Sequence, residues 1–133
     1  MSAKQDDINR WDSVHTYTRA QAIADGFQVD VSDLAKEAGF KHPVFITRGV
    51  YDSCVAVPPG VVAQDETGRL WDIVWMTRCA ILSGDQTKDR VTVQLYVRND
   101  NKKATLTKLV SVCGPKDIDD PAPAITIMLP DED

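Results

Sequence analysis

Within the stretch HTYTR, residues 15–19, a histidine, a tyrosine and an arginine fall at alternate positions, just where a helix should begin. The trio could be a reactive site, or only the start of that helix. Thr18 and Gln21 answer part of the question. T-x-x-Q is a capping box: the threonine hydroxyl accepts from the Gln21 amide while the glutamine side chain reaches back. Tyr17 stands just before the cap, where a hydrophobic staple residue sits, with only Ala22 at the partner position. His15 and Arg19 are left over. An arginine in the first turn opposes the helix dipole. Arg19 is therefore expected to pair with a carboxylate elsewhere, or to meet an anion or a partner beside the helix N-terminus. His15, Tyr17 and Arg19 are candidates for contact with a partner.

Other reactive residue types are dispersed. His15 and His42 are the histidines, and Cys54, Cys79 and Cys113 lie far apart with no CxxC spacing. An odd, scattered set argues against a disulfide framework and a cysteine-based zinc site, so three buried or half-buried reduced thiols are expected. Cys-His or Ser-His-Asp sets can be drawn from many pairs, and nothing marks one of them. There is no phosphate loop and no GxGxxG pattern. No catalytic residue, metal ligand or cofactor is assigned.

Trp71 and Trp75 are four residues apart and share a helical face. Core packing is the first expectation for them and a partner-binding anchor the second, since tryptophan dominates interface hot spots. Between Lys88 and Lys108 six basic residues face two carboxylates. Arg90, Arg98, Lys102, Lys103 and Lys108 could grip phosphates there. Lysines also guard solvated strand edges, and only Tyr96 is at hand for base stacking. The net charge of −5 belongs to the C-terminal end, because residues 1–115 balance and residues 116–133 set one lysine against six carboxylates. Such polarity bears on partners and solubility rather than on fold.

The elements that would position these residues follow from periodicity. Residues 1–10 read as a disordered lead, 11–130 as a single globular domain and 131–133 as an acidic end. Ala20, Ile23, Ala24 and Phe27 form one apolar stripe, with Gly26 at a left-handed cap. FQVDVS reads as an extended link or a short strand, and Ser32 caps a second helix that ends at Gly39. Residues 43–55 fit either a third helix opened by Pro43 or a strand through the β-branched VFIT. VPPG is a break. Residues 69–82 form a long helix, apolar on most of its circumference and so expected to be central or at an interface. From Arg90 the period changes to two, giving strands at 90–98, ATLTKLVSV and AITIML. The third strand separates Asp117, Asp119 and Asp120 from Asp131, Glu132 and Asp133. Helices first and strands last predict an α+β domain: short N-terminal helices and one long apolar helix on a small antiparallel sheet of about three C-terminal strands.

Two blocks, HTYTRAQAIADGFQVDVSDLAKEAGFKHPVFITR and VCGPKDIDDPAPAITIMLPDED, carry a resemblance. The chain resembles an uncharacterised family of small bacterial proteins encoded on plasmids, conjugative elements and phages. The resemblance implies an accessory role, with countering host defence as one form of it, and transfers no catalytic residue. The leading expectation is a non-enzymatic, cytoplasmic, protein-binding factor, with a homodimer left open and no membrane partner. A nucleic-acid-binding module using residues 88–108 is the runner-up, and an enzyme of unknown class comes third.

Overall fold

The structure is a computed structural model that describes residues 17–84 and 88–132. His15 and the N-terminal lead lie outside the described residues. The capping box forms: Thr18 Oγ1 accepts from the Gln21 amide at 3.0 Å, and Gln21 Oε1 from the Thr18 amide at 2.9 Å. It starts helix α1, Arg19–Ala24. Gly26 takes the left-handed backbone expected of it, with φ of +81°. The expected apolar stripe is not what docks this helix. Ala22 is buried, whereas Ala20, Ala24 and Phe27 are exposed. Six residues make under two turns, and a small residue lets so short a helix approach the sheet closely.

Strand β1, Gln28–Asp30, leads into helix α2, Ser32–Glu37. Ser32 does not cap α2, as its sequence position suggested. Its hydroxyl instead accepts from the Val44 amide at 3.0 Å, and Val31 is the cap residue, without a side-chain bond. Residues 43–55 divide between the two readings open to them. Val44–Thr47 is strand β2, Arg48–Val50 is a single helical turn, α3, and Tyr51–Val55 is a π-helical turn. The Thr47 hydroxyl makes the switch by accepting from the Val50 amide, a strand residue serving as a helix cap.

Helix α4 runs from Glu66 to Ser83. Its true cap is Asp65, which accepts from the Gly68 amide at 2.7 Å. The 18-residue length agrees with a long helix, but it is not the enveloped apolar helix expected. Arg69, Ile73, Val74 and Thr77 are buried, while Asp72, Trp75, Met76 and Leu82 are exposed. A single layer of helix over a sheet buries one side only, so the apolar residues opposite Ile73 are left to solvent.

Three further strands follow: β3, Arg90–Val97; β4, Thr105–Asp117; and β5, Asp120–Met128. They make two antiparallel hairpin pairings, as expected. The sheet is larger than the predicted three strands and is mixed. Its order is β1-β2-β5-β4-β3, and β2 runs parallel to β5. The N-terminal half therefore extends the C-terminal sheet rather than only covering it. Short apolar runs such as VFIT lack a partner signal in sequence, which is why the count fell short.

The core fills one face of this sheet. Val44, Ile46, Val93, Leu95, Leu109, Ile125 and Ile127 meet Ile73 and Val74 of α4 and Ala35 and Ala38 from the α2 region. Burying each large aliphatic side chain contributes about 1.5–3 kcal/mol before entropy is counted. Phe45 lies between Val44 and Ile46 and so faces the other way, where it is 2% exposed under α1. Of the three cysteines expected to be buried or half-buried, Cys54 is buried and Cys79 half-buried, whereas Cys113 is exposed.

Candidate functional site

Arg19 is tied into the fold from three sides. Its Nε donates to the Lys116 carbonyl at 2.6 Å and its Nη1 to Gln28 Oε1 at 2.8 Å, and its guanidinium lies 4.2 Å over the Phe45 ring. Asp117 lies in front of α1 and accepts from the Arg19 and Ala20 amides, both at 3.1 Å. The position where an external anion would have met the helix is filled by the chain's own carboxylate. Amide hydrogen bonds, led by that of Ile118, hold the Asp117 carboxyl below its ordinary pKa. Tyr17 donates to Asp25 and packs edge-on against Phe27, with ring centroids 6.5 Å apart. That bond pushes the phenol up to about 12.

Arg69 organises the opposite end of the domain. It is 6% exposed, and its bonds go to neutral acceptors: the Cys54 carbonyl at 3.0 Å, the Arg98 carbonyl at 2.7 Å and Asn99 Oδ1 at 2.6 Å. Burial lowers its pKa. Around it the β3–β4 turn clamps the preceding loop. Arg98 donates to the Val62 carbonyl, Asn99 to the Ser53 carbonyl at 2.8 Å, and Asn101 to the Gly60 carbonyl at 2.8 Å. Arg98 thus serves the fold. Arg90, Lys102, Lys103 and Lys108 are exposed on β3, β4 and their turn, and Lys108 stands across from Gln94.

The two tryptophans stack, with centroids 6.0 Å apart and planes 12° from parallel. Trp71 is half-buried and packs on the core, whereas Trp75 is 41% exposed. Core packing therefore describes Trp71 in part and does not describe Trp75.

The next residue, Met76, is also exposed and belongs to an apolar margin with Tyr96 and Leu106, which are directly opposed across β3 and β4 and are 68% and 49% exposed. A groove of about 410 Å³ runs between α4 and β3, lined by Asp72, Met76, Gln94, Leu95, Tyr96 and Leu106. It follows the outer edge of the sheet, where, among the described residues, β3 has a strand neighbour on one side only. Natural edge strands are usually blunted by prolines, bulges or charges. β3 pairs with β4 through eight consecutive residues without a shift, and from Val91 to Val97 it carries no proline, glycine or charge. Met76, Leu106 and Asp72 were not marked in the sequence. Met76 could have been, as the neighbour of Trp75; Leu106 required the β3–β4 register.

Among the described residues, no group of three or more His, Cys, Asp or Glu could hold a metal ion, and no helix is long and apolar enough to cross a membrane. The fold and this margin define an α+β domain with a mixed five-stranded sheet and an unguarded edge strand. The chain belongs to a family of unknown function, DUF6573, whose model matches residues 7–133. No curated protein and no solved structure matches it.

Proposed function

We propose that this protein is a non-enzymatic binding factor that receives an extended segment of a partner protein along β3. The supporting observation is the unguarded edge of β3 flanked by exposed apolar side chains. Strand addition draws affinity from main-chain hydrogen bonds and specificity from pockets for alternate side chains. The groove supplies such a pocket, apolar at Met76, Tyr96 and Leu106 and acidic at Asp72. The partner segment would carry apolar residues at alternate positions and a basic one near Asp72. The resemblance to proteins of plasmids, conjugative elements and phages favours an accessory role in such an element, acting in the cytoplasm, with countering host defence as one form of it.

The test is capture of protein from nuclease-treated lysate by wild type and by Met76→Glu, Tyr96→Glu and Leu106→Glu, with Lys103→Ala as control. A protein retained by wild type and the control and lost with the three glutamates supports the reading. Retention by all five proteins, or nucleic acid as the captured species, overturns it.

A further inference from the structure

The sheet has two edges of unequal character. β1 is three residues long and ends on the exposed Asp30, which makes a short, charged border. β3 runs for eight residues and is free of charge from Val91 to Val97. A long, uncharged edge invites pairing with another chain. Pairing of β3 with β1 of another copy would repeat without end and build a fibre, whereas β3 against β3 closes on itself about a twofold axis. The brevity of β1 and the charge of Asp30 disfavour the open arrangement.

β3 also answers the description of the segment that its own edge calls for. Val91, Val93 and Leu95 alternate with polar residues, and the basic Arg90 precedes them. Identical strands paired antiparallel place opposed side chains on the same face of the sheet. The twofold axis nearest the middle of β3 passes through Val93 or Gln94. Through Val93, Val91 stands opposite Leu95 of the second copy, Thr92 opposite Gln94, and Arg90 opposite Tyr96. Through Gln94, Arg90 falls opposite residue 98, beyond the strand. The Val93 axis therefore brings Arg90 to the groove that Tyr96 and Asp72 line, and sets a guanidinium against an aromatic ring. It also covers Val91. That residue is half-buried in the single chain, while Val93, Leu95 and Val97 are already buried. Leu95 of the second copy, with Met76 lining the same groove, lies across from it. No like charges oppose one another within the paired strand.

We propose that two copies of this chain pair through β3, antiparallel about a twofold axis at Val93, and that this dimer is the resting state of the docking edge. It rests on the reading of β3 as that edge, and makes the second copy the competitor that a partner segment displaces. One strand pair with its flanking side chains is a small interface, so a dissociation constant on the order of 10 µM is expected.

Sedimentation equilibrium of the full chain over a range of concentrations reads the dimer. Two double variants at the exposed positions 92 and 94 read the register. Thr92→Glu with Gln94→Glu sets carboxylates opposite one another twice and should weaken the dimer about tenfold. Thr92→Lys with Gln94→Glu sets opposite charges face to face and should hold or tighten it. A wild-type chain that stays monomeric up to about 1 mM, or equal dimerisation of the two variants, would overturn the proposal. Capture of a partner protein is read separately. A monomer that still captures one overturns the dimer alone; a dimer that captures none supports the dimer and overturns the partner reading.

Discussion

Asp117 accepts hydrogen bonds from the Arg19 and Ala20 amides, both at 3.1 Å, joining the end of β4 to the start of α1 across about a hundred residues. The side chain that meets the helix N-terminus is thus drawn from the acidic tail, and the arginine that opposes the helix dipole is turned aside onto Lys116, Gln28 and Phe45. The Asp117 carboxyl is held below its ordinary pKa. A depressed folded pKa contributes stability above the unfolded value and loses it as pH falls through the folded value. Protection factors of the α1 amides, exchange rates divided into the intrinsic rate at each pH, should therefore fall on acidification through and below the carboxylate range. Asp117→Asn should remove that pH step, and persistence of the step in the variant would refute the link.

Thr18→Ala removes the cap hydroxyl and should lower stability by about 1 kcal/mol. A chemical denaturation midpoint reads this directly. Arg19→Ala should also destabilise, because its partners lie within the fold. A binding defect without loss of stability would instead mark Arg19 as a contact residue.

Arg69→Ala should cost about 2–4 kcal/mol, since several buried acceptors lose a charged donor together. Arg69→Lys should rescue little of it, because an ammonium cannot span the acceptors that a planar fork reaches. Full rescue by lysine, measured by denaturant titration, would show that charge alone matters there.

The tryptophans should separate. Trp71→Ala is expected to lose about 3 kcal/mol as a half-buried core contact, and Trp75→Ala about 1 kcal/mol. Equal losses would contradict the difference in burial.

Tyr17 should titrate at about 12. Asp25→Asn should bring it back toward the ordinary 10.0, because the bond to the carboxylate is the leading cause of the rise. Ultraviolet titration of that variant, with Tyr17→Phe as the blank, checks the value.

Local signals were the legible part of this chain. The capping box, Gly26 and the strand periods of β3 and β5 all depend on neighbours within a few residues. What could not be read was decided at long range. Ser32 looked like a cap because its competitor, the Val44 amide, lies 12 residues away. Arg98 looked available to phosphate because its tie to the Val62 carbonyl crosses 36 residues. The apolar surround of α4 was visible as composition, but one layer of sheet could bury only one side of it. The start of α4 was missed because Thr67 and Gly68 are weak helix formers, and Asp65 compensates as the cap.

The parallel pairing of β2 with β5 makes the order of synthesis matter. Val44, Phe45 and Ile46 find their neighbours at Ile125, Thr126 and Ile127, some eighty residues later. Until that last strand emerges, β1 and β2 form only a two-stranded ribbon, which is marginal in water by itself. A chain halted before Ile125 therefore leaves Val44 and Ile46 exposed to proteases and chaperones. Two fragments cut between β2 and β3 should each fail alone and recover the sheet only when mixed, as the halves of a reporter do.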